Sequence, residues 1–102
     1  ENFTDSNWHM FQVVLPLEKL HVDRAQVMTE LKELGIGSGV HYPIITGFTL
    51  YQKLGYETAA TPIAERIGRS ILTLPLFPGM ADEDIARIAS ALVGILKKHR
   101  KN

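Results

Sequence analysis

The residues best suited to chemistry in this sequence form one continuous stretch, which runs from Gly35 to Pro43 and reads Gly-Ile-Gly-Ser-Gly-Val-His-Tyr-Pro. Its glycines occupy every second position and lead into a histidine and a tyrosine. A phosphate-binding glycine loop follows a strand and opens a helix, whereas this run follows a predicted helix and opens a predicted strand. The order therefore favours a helix end and a flexible turn over phosphate binding.

His41 and Tyr42 lie at the exit of this turn, directly before Pro43. Side chains of a strand alternate between its two faces, so we expect one of the pair to pack inward while the other is free to meet a ligand. A lone histidine is most often a hydrogen-bonded structural residue. The glycines before His41 and the proline after it favour an exposed, shaped edge, so the residues alone leave both interpretations open.

The other side chains capable of chemistry are scattered along the chain. His9, His21 and His99 have no partner at metal-ligand spacing on a helix face, and the sequence contains no cysteine. It contains no Gly-x-Ser-x-Gly motif, and no Ser/His/Asp order stands out. The sequence therefore predicts no metal site and no hydrolytic triad.

The composition indicates a single globular domain. Of the 102 residues, 45% are hydrophobic and 22% are charged, which is typical of a folded chain. The 11 basic residues balance the 11 acidic ones, which argues against a nucleic-acid partner, and no apolar stretch approaches the length of a membrane span. The absence of cysteine fits a reducing compartment, so we expect a cytoplasmic protein. From the charge balance and the lack of a long apolar stretch, we expect neither a nucleic-acid partner nor a membrane.

Hydrophobic periodicity and the positions of glycine and proline predict the order β-α-β-α-α-β-α. The predicted strands cover residues 8–15, 39–42 and 71–74, and the predicted helices cover residues 23–34 and 49–54, a segment beginning at 61–62, and residues 82–98. In the first helix Asp23 is placed to cap, with Gln26 three residues on, and Val27, Leu31 and Leu34 share an apolar face.

These elements predict an α+β fold with a small three-stranded, mainly antiparallel sheet that helices cover on one face. We expect residues 1–7 to be a linker or a frayed end and residues 8–102 to form the single domain. The polar start without a methionine predicts that the chain is part of a longer protein, with processing of the chain as the alternative.

Several segments, taken in order along the chain, resemble those of the DegT/DnrJ/EryC1/StrS family of sugar aminotransferases. The glycine-rich run resembles the family's GIGTGVHYP segment, and the Ile-Leu-Thr-Leu-Pro-Leu-Phe-Pro run at 71–78 resembles its LSLPLFP segment. The remaining similarities are the Trp-His-Met-Phe at 8–11, the Asp-Arg at 23–24, the Leu-Gly-Tyr at 54–56 and the acidic helix start at 82–84. Together these segments cover nearly the whole chain.

The resemblance implies the C-terminal small domain of a fold-type I pyridoxal-phosphate transferase. The implied parent is a homodimer that moves an amino group from glutamate to a nucleotide-linked keto-sugar, for polysaccharide or natural-product synthesis. In the family the Schiff-base lysine and the cofactor site lie in a large pyridoxal-phosphate-binding domain of the same chain. We therefore expect no catalytic residue in this fragment, no cofactor bound by it and no activity from it alone. The alternative that the parent dehydrates the sugar with the same cofactor, instead of transferring an amino group to it, stays open.

The resemblance also implies which residues border the substrate. His41, Tyr42 and Pro43 match the family's His-Tyr-Pro, and Thr46 stands where the family often has a second histidine, which implies a different acceptor sugar or donor. His9 is a further candidate. A free-standing small-molecule-binding or regulatory module is the alternative. Four apolar residues are predicted to lie either in the core or on a face that meets another domain: Phe48, Leu50, Leu76 and Phe77.

Overall fold

The computed structural model describes residues 5–102, so most of the predicted linker at residues 1–7 lies outside the described part. Within these residues the six main elements follow the order β-α-α-α-β-α. They are β1 (Phe11–Val14), α1 (Arg24–Glu33), α2 (Thr49–Lys53), α3 (Pro62–Ser70), β2 (Ile71–Leu74) and α4 (Asp82–Lys98). Short 3-10 turns cover Leu17–Lys19, Ile45–Gly47 and Thr58–Ala60. The predicted helices are therefore confirmed to within a residue or two at their ends.

In the part of the chain that the structure describes, the sheet has two strands and not the predicted three. β1 and β2 pair antiparallel, with Phe11 opposite Leu74 and Gln12 opposite Thr73. The strand expected at 39–42 is reduced to a single bridge on the other edge of β2. There the N–H of Gly39 donates to the Thr73 carbonyl at 3.0 Å, and the N–H of Thr73 donates to the Gly39 carbonyl at 2.8 Å.

The bridge cannot extend because both neighbouring positions of β2 are blocked. An antiparallel pair would next place His41 opposite Ile71. The N–H of Ile71 already donates to the Ile67 carbonyl at the end of α3, and its carbonyl accepts a hydrogen bond of 3.2 Å from Arg24 Nη1. In the other direction the partner would be Pro75, which has no N–H to donate. The expected third strand therefore ends after one residue.

The core lies on one face of this sheet, where α1 packs against α4. The opposite face is left open: Val14 is 49% exposed, and Gln12 is exposed beside it. The α+β class is thus confirmed, and the helices that cover the inner face of the sheet are α1 and α4. The buried cluster consists of Leu15, Val27, Leu31, Ile36, Leu72, Leu74, Ile88, Leu92 and Ile95.

Both ends of α1 follow their sequence signals, whereas the predicted burial of Leu34 is wrong. Asp23 Oδ1 accepts a hydrogen bond of 2.9 Å from the backbone N–H of Gln26, which satisfies an otherwise unpaired amide. At the other end Gly35 adopts a left-handed conformation with φ of 71°. This turn leaves Leu34 51% exposed, although its spacing predicted a buried side chain, and it places Ile36 in the core at 2% exposure.

A buried carboxylate joins α1 to the end of α4. Glu30 Oε2 accepts a hydrogen bond of 2.9 Å from Lys98 Nζ, and Glu30 Oε1 lies 2.6 Å from His99 Nε2. The backbone after α4 is also fixed, because the N–H of Lys101 donates to the Lys19 carbonyl at 2.8 Å. The carboxylate therefore joins α1 to the end of α4, and the backbone bond holds the residues after α4 against the segment that precedes α1.

Glu30 should make the fold sensitive to acid. The pKa of the Glu30 carboxyl is lowered from 4.5 to about 2. The hydrogen bond from Lys98 is the largest cause, and the hydrogen bond from Gln26 is the second. Because the folded pKa lies below the ordinary value, the carboxylate stabilises the fold above pH 4.5, and this contribution is lost as the pH falls towards 2.

Glu30→Gln should remove this pH dependence. The urea midpoint of the native chain should exceed that of the variant above pH 4.5, and the two midpoints should converge as the pH falls from 4.5 to 2. The matched control is Glu33→Gln, because Glu33 is exposed on the same helix. Midpoints of the native chain and the Glu30 variant that stay equally far apart over this range would contradict the assignment.

Residues 42–67 form a projecting segment, which we call the arm. Between these residues no described side chain is buried, and the radius of gyration of 15.6 Å exceeds the roughly 13 Å of a compact chain of about 100 residues. Phe48 and Leu50 of the arm are 49% and 64% exposed, and Leu76 and Phe77 after β2 are 41% and 54% exposed. None of these four residues therefore belongs to the core. Among residues 5–102, no helix combines the length and the apolar character needed to cross a lipid bilayer.

Candidate functional site

His41 lies on the open face of the sheet in a small polar cluster with Thr73 and Gln12, which we call the His41 cluster. Gln12 and Thr73 are opposite each other in the strand register, so their side chains project from the same face. His41 Nδ1 lies 2.9 Å from Thr73 Oγ1. The Gln12 amide donates to the His41 carbonyl and lies 3.5 Å from Thr73 Oγ1. The sheet thus fixes both the backbone and the ring of His41.

The glycines of the 35–39 run serve this arrangement in two different ways. Gly35 ends α1 through its positive φ, as the sequence predicted. Gly39 makes the bridge to Thr73, and a Cβ atom placed there would lie 2.9 Å from Cε1 of His41, too close for the ring to remain where it is. A Cβ at Gly37 would meet nothing within 4 Å. The run is therefore a helix end followed by a glycine that leaves space for the imidazole ring of His41.

Tyr42 lies beside His41 instead of on the opposite face. The two rings meet edge to face, with centroids 5.1 Å apart and an interplanar angle of 87°, and the peptide bond between the residues is cis. The expected alternation is wrong because these residues follow the Gly39 bridge and do not belong to a strand. Tyr42 is 68% exposed, whereas His41 is half-buried.

Three of the predicted site residues line one open groove of about 470 Å³ at the base of the arm. Thr46 Oγ1 lies 3.3 Å from Thr61 Oγ1, so a pair of hydroxyls joins its two walls. His41 lies next to the groove through its contact with Tyr42, whereas the exposed His9 lines neither the groove nor the His41 cluster. The lining residues are Tyr42, Pro43, Ile44, Ile45 and Thr46 on one wall and Thr61, Ala64, Ile67, Gly68 and Ile71 on the other.

The two walls meet where Gly68 of α3, just after the arm, comes close to Ile44 near the start of the arm. A Cβ atom on Gly68 would lie 3.0 Å from Cβ and 3.1 Å from the backbone nitrogen of Ile44. These distances are shorter than ordinary van der Waals contacts, and a backbone atom cannot rotate away. The absence of a side chain at Gly68 therefore allows α3 to lie close to Ile44, where the two walls of the groove meet.

Gly68→Ala should lower the free energy of unfolding by about 1–3 kcal/mol, because the added methyl group pushes against the backbone at Ile44. The matched control is Gly94→Ala inside α4, where a Cβ would meet nothing within 4 Å. That variant should gain roughly 0.5–1 kcal/mol, since alanine restricts the unfolded chain and suits a helix. Urea denaturation measures both effects, and changes of the same sign would contradict the predicted close approach.

The sequence did not single out Gln12, Thr73 or Gly68. The available signal for Thr73 was a polar residue in the middle of the otherwise apolar strand Ile71–Leu74. Gln12 becomes recognisable only through the strand register, and Gly68 only through the path of the arm. The sequence motif therefore located the histidine and missed the residues that hold it.

Pyridoxal phosphate does not fit the described residues by themselves. No lysine and no other charged residue lines the groove, and all the lysines of the described part are exposed. The cofactor needs a lysine for its aldehyde and a cradle for its phosphate, and the groove offers neither. Between residues 5 and 102 there is also no group of three or more His, Cys, Asp or Glu side chains arranged to hold a metal ion.

Known proteins are similar to this chain in sequence, and solved structures are similar to it in fold. An uncharacterized protein of Methanocaldococcus jannaschii, MJ1066, is 29% identical over 94 residues, which is 91% of this chain and 24% of that protein. The putative sugar aminotransferase Spr1654 from Streptococcus pneumoniae, in its PMP-form, superposes with a TM-score of 0.78 and 28% identity over 88% of this chain and 22% of its own. Its PLP-form gives the same TM-score and identity over 23% of its length.

The family assignment rests on the length of the match. This chain spans 22–24% of the length of these relatives. The sequence profile of the DegT/DnrJ/EryC1/StrS aminotransferase family matches residues 1–93, which include β1, the glycine-rich run, the arm and most of α4. This chain therefore belongs to the DegT/DnrJ/EryC1/StrS aminotransferase family.

Proposed function

We propose that this chain is the small domain of a pyridoxal-phosphate-dependent aminotransferase that moves an amino group from glutamate to a nucleotide-linked keto-sugar. The observation that carries the proposal is the family match over residues 1–93, on a fold similar to that of a putative sugar aminotransferase. In this proposal His41, Tyr42, Pro43 and Thr46 border the sugar.

The chemistry of the groove suits a sugar. Thr46 and Thr61 carry hydroxyls that can both donate and accept hydrogen bonds, as the hydroxyls of a sugar require. The exposed ring of Tyr42 and the side chain of Ile45 offer apolar surface for the C–H groups of the same ligand. A groove with apolar walls and a few polar groups is the usual form of a small-molecule site.

In this proposal a large domain of the same protein holds the cofactor, and the whole protein works as a homodimer. The absence of a lysine from the groove is consistent with this division. The arm supports it as well, because exposed apolar side chains of this number are typical of a surface that another part of the assembly covers. On this basis the small domain positions the sugar and takes no covalent part in the transfer.

The test compares the 102-residue chain with the full-length protein that contains it. With equimolar pyridoxal phosphate, the full-length protein should give the visible absorbance band of lysine-bound cofactor, and the chain alone should not. With glutamate and a panel of nucleotide-linked keto-sugars, the full-length protein should form 2-oxoglutarate. A lysine-bound band from the chain alone would contradict the division between domains. Consumption of the sugar without formation of 2-oxoglutarate would contradict amino transfer and indicate dehydration instead.

A further inference from the structure

The hydrogen bonds of the His41 cluster bear on the form of the imidazole ring. A neutral imidazole carries its proton on one nitrogen and offers a lone pair on the other, and the partner of one nitrogen decides the role of the other. His41 Nδ1 lies 2.9 Å from Thr73 Oγ1, a distance that suits a bond in either direction. No hydrogen bond to Nε2 is found among the described residues, and Nε2 is not a buried unpaired atom, so it is open to a ligand.

The Gln12 amide resolves the direction. Its nitrogen lies against the His41 carbonyl, and only an N–H can bond there, because an amide oxygen in its place would meet another oxygen. The same nitrogen lies 3.5 Å from Thr73 Oγ1 and directs its second hydrogen to that atom. Thr73 Oγ1 therefore accepts a hydrogen bond from Gln12.

Thr73 then has one proton of its own to place. Among the described residues, the acceptor within hydrogen-bond distance of Oγ1 is His41 Nδ1. If the ring donated instead, the Thr73 oxygen would receive two hydrogens while its own proton had no protein partner. The arrangement that uses every group runs from Gln12 N–H to the Thr73 hydroxyl, and from that hydroxyl to His41 Nδ1.

We propose that Gln12 and Thr73 hold the neutral His41 ring as its Nε2–H tautomer, so that His41 presents a hydrogen-bond donor and not a basic lone pair. This donor fits an oxygen acceptor of the substrate, such as a hydroxyl, keto or phosphate oxygen, and its use in catalysis rests on the proposed function. Gln12 and Thr73 are positioning residues, and Gly39 leaves the space in which the ring lies.

The first experiment is a long-range ¹H–¹⁵N correlation spectrum of the chain with ¹⁵N-labelled histidine, recorded on the neutral ring. The His41→Gln variant identifies the signals of His41. We expect a pyrrole-type Nε2 and a pyridine-type Nδ1 that is shifted by its hydrogen bond. A pyrrole-type Nδ1 would overturn the proposal.

Two substitutions at one position test the role of the hydroxyl. Thr73→Val keeps the shape of the side chain and removes the donor, so the Nδ1 signal should move towards that of an unbonded pyridine-type nitrogen. Thr73→Ser keeps the hydroxyl and should leave the signal near its native position. Gly39→Ala should displace the ring and move the signal as Thr73→Val does. An Nδ1 signal that is the same in the native chain and in Thr73→Val would overturn the proposal.

Turnover separates this proposal from the proposed function. In the full-length protein, Thr73→Val should lower amino transfer and Thr73→Ser should restore it. If the spectra are as expected while neither Thr73→Val nor His41→Ala affects the transfer, the tautomer stands and the placement of His41 at the substrate fails. If the spectra differ from expectation, the tautomer fails whatever the turnover.

Discussion

Leu31→Ala is expected to lower the free energy of unfolding by about 2–5 kcal/mol. Leu31 is 0% exposed on α1, within the buried cluster that includes Leu92 of α4 and Leu72 of β2. Truncation removes buried methyl groups and leaves a cavity that the two helices and the strand can only partly close. For a domain whose total stability is about 5–15 kcal/mol, this single change removes a large share of it.

The matched control is Leu34→Ala, which makes the same substitution three positions later on the chain. Leu34 is 51% exposed, so we expect a change of less than about 1 kcal/mol. Urea denaturation of both variants gives the two free energies, and an unchanged dependence on urea concentration shows that the unfolded state is comparable. Similar losses for the two leucines would mean that α1 ends differently and that Leu34 is packed inside.

His41→Ala is expected to lower kcat/KM for amino transfer by about 10-fold to 100-fold in the full-length protein. This range corresponds to the loss of a hydrogen bond to a polar or charged substrate group, worth about 1.5–3 kcal/mol. The fold should remain intact, because His41 is half-buried on the open face of the sheet and lies outside the core cluster. Circular dichroism and the urea midpoint check the fold while the transfer assay measures the activity.

The control for this variant is His21→Ala. The His21 side chain is exposed, and its backbone N–H donates to the His99 carbonyl, a bond that the substitution retains. We expect native activity from this variant. An undiminished kcat/KM in His41→Ala, or an equal loss in His21→Ala, would contradict a role for His41 at the substrate.

Local signals in the sequence were sufficient for elements whose ends are set by their own residues. β2 ends at Leu74, directly before Pro75, and α4 has acidic residues in its first turn and lysines in its last, so both were predicted with the bounds that the structure has. The third strand failed for a reason that lies far away in the sequence. Arg24 occupies the carbonyl that the strand would have needed, and the end of α3 occupies the matching N–H. No pattern within residues 39–42 carries that information.

The candidate site divides in the same way. The run from Gly35 to Pro43 was recognisable because its motif is continuous. The Gln12 amide and the Thr73 hydroxyl reach His41 from two strands, and they could be found only once the register of those strands was known. The groove depends on the contact between Gly68 and Ile44, which joins the two ends of the arm. Contacts of this kind follow from tertiary packing and are not written in any one segment.

The contact between Gly68 and Ile44 has a consequence for how this domain can vary. The arm leaves the core beside Ile44 and returns to it at Gly68, so its two ends are pinned together at its base. Residues inserted or removed near the tip of the arm, between α2 and α3, would alter the outline above the groove while the core and the His41 cluster kept their geometry. The rim of the groove can therefore change in length and sequence at a small cost in the free energy of unfolding, while the residues that fix the core stay the same.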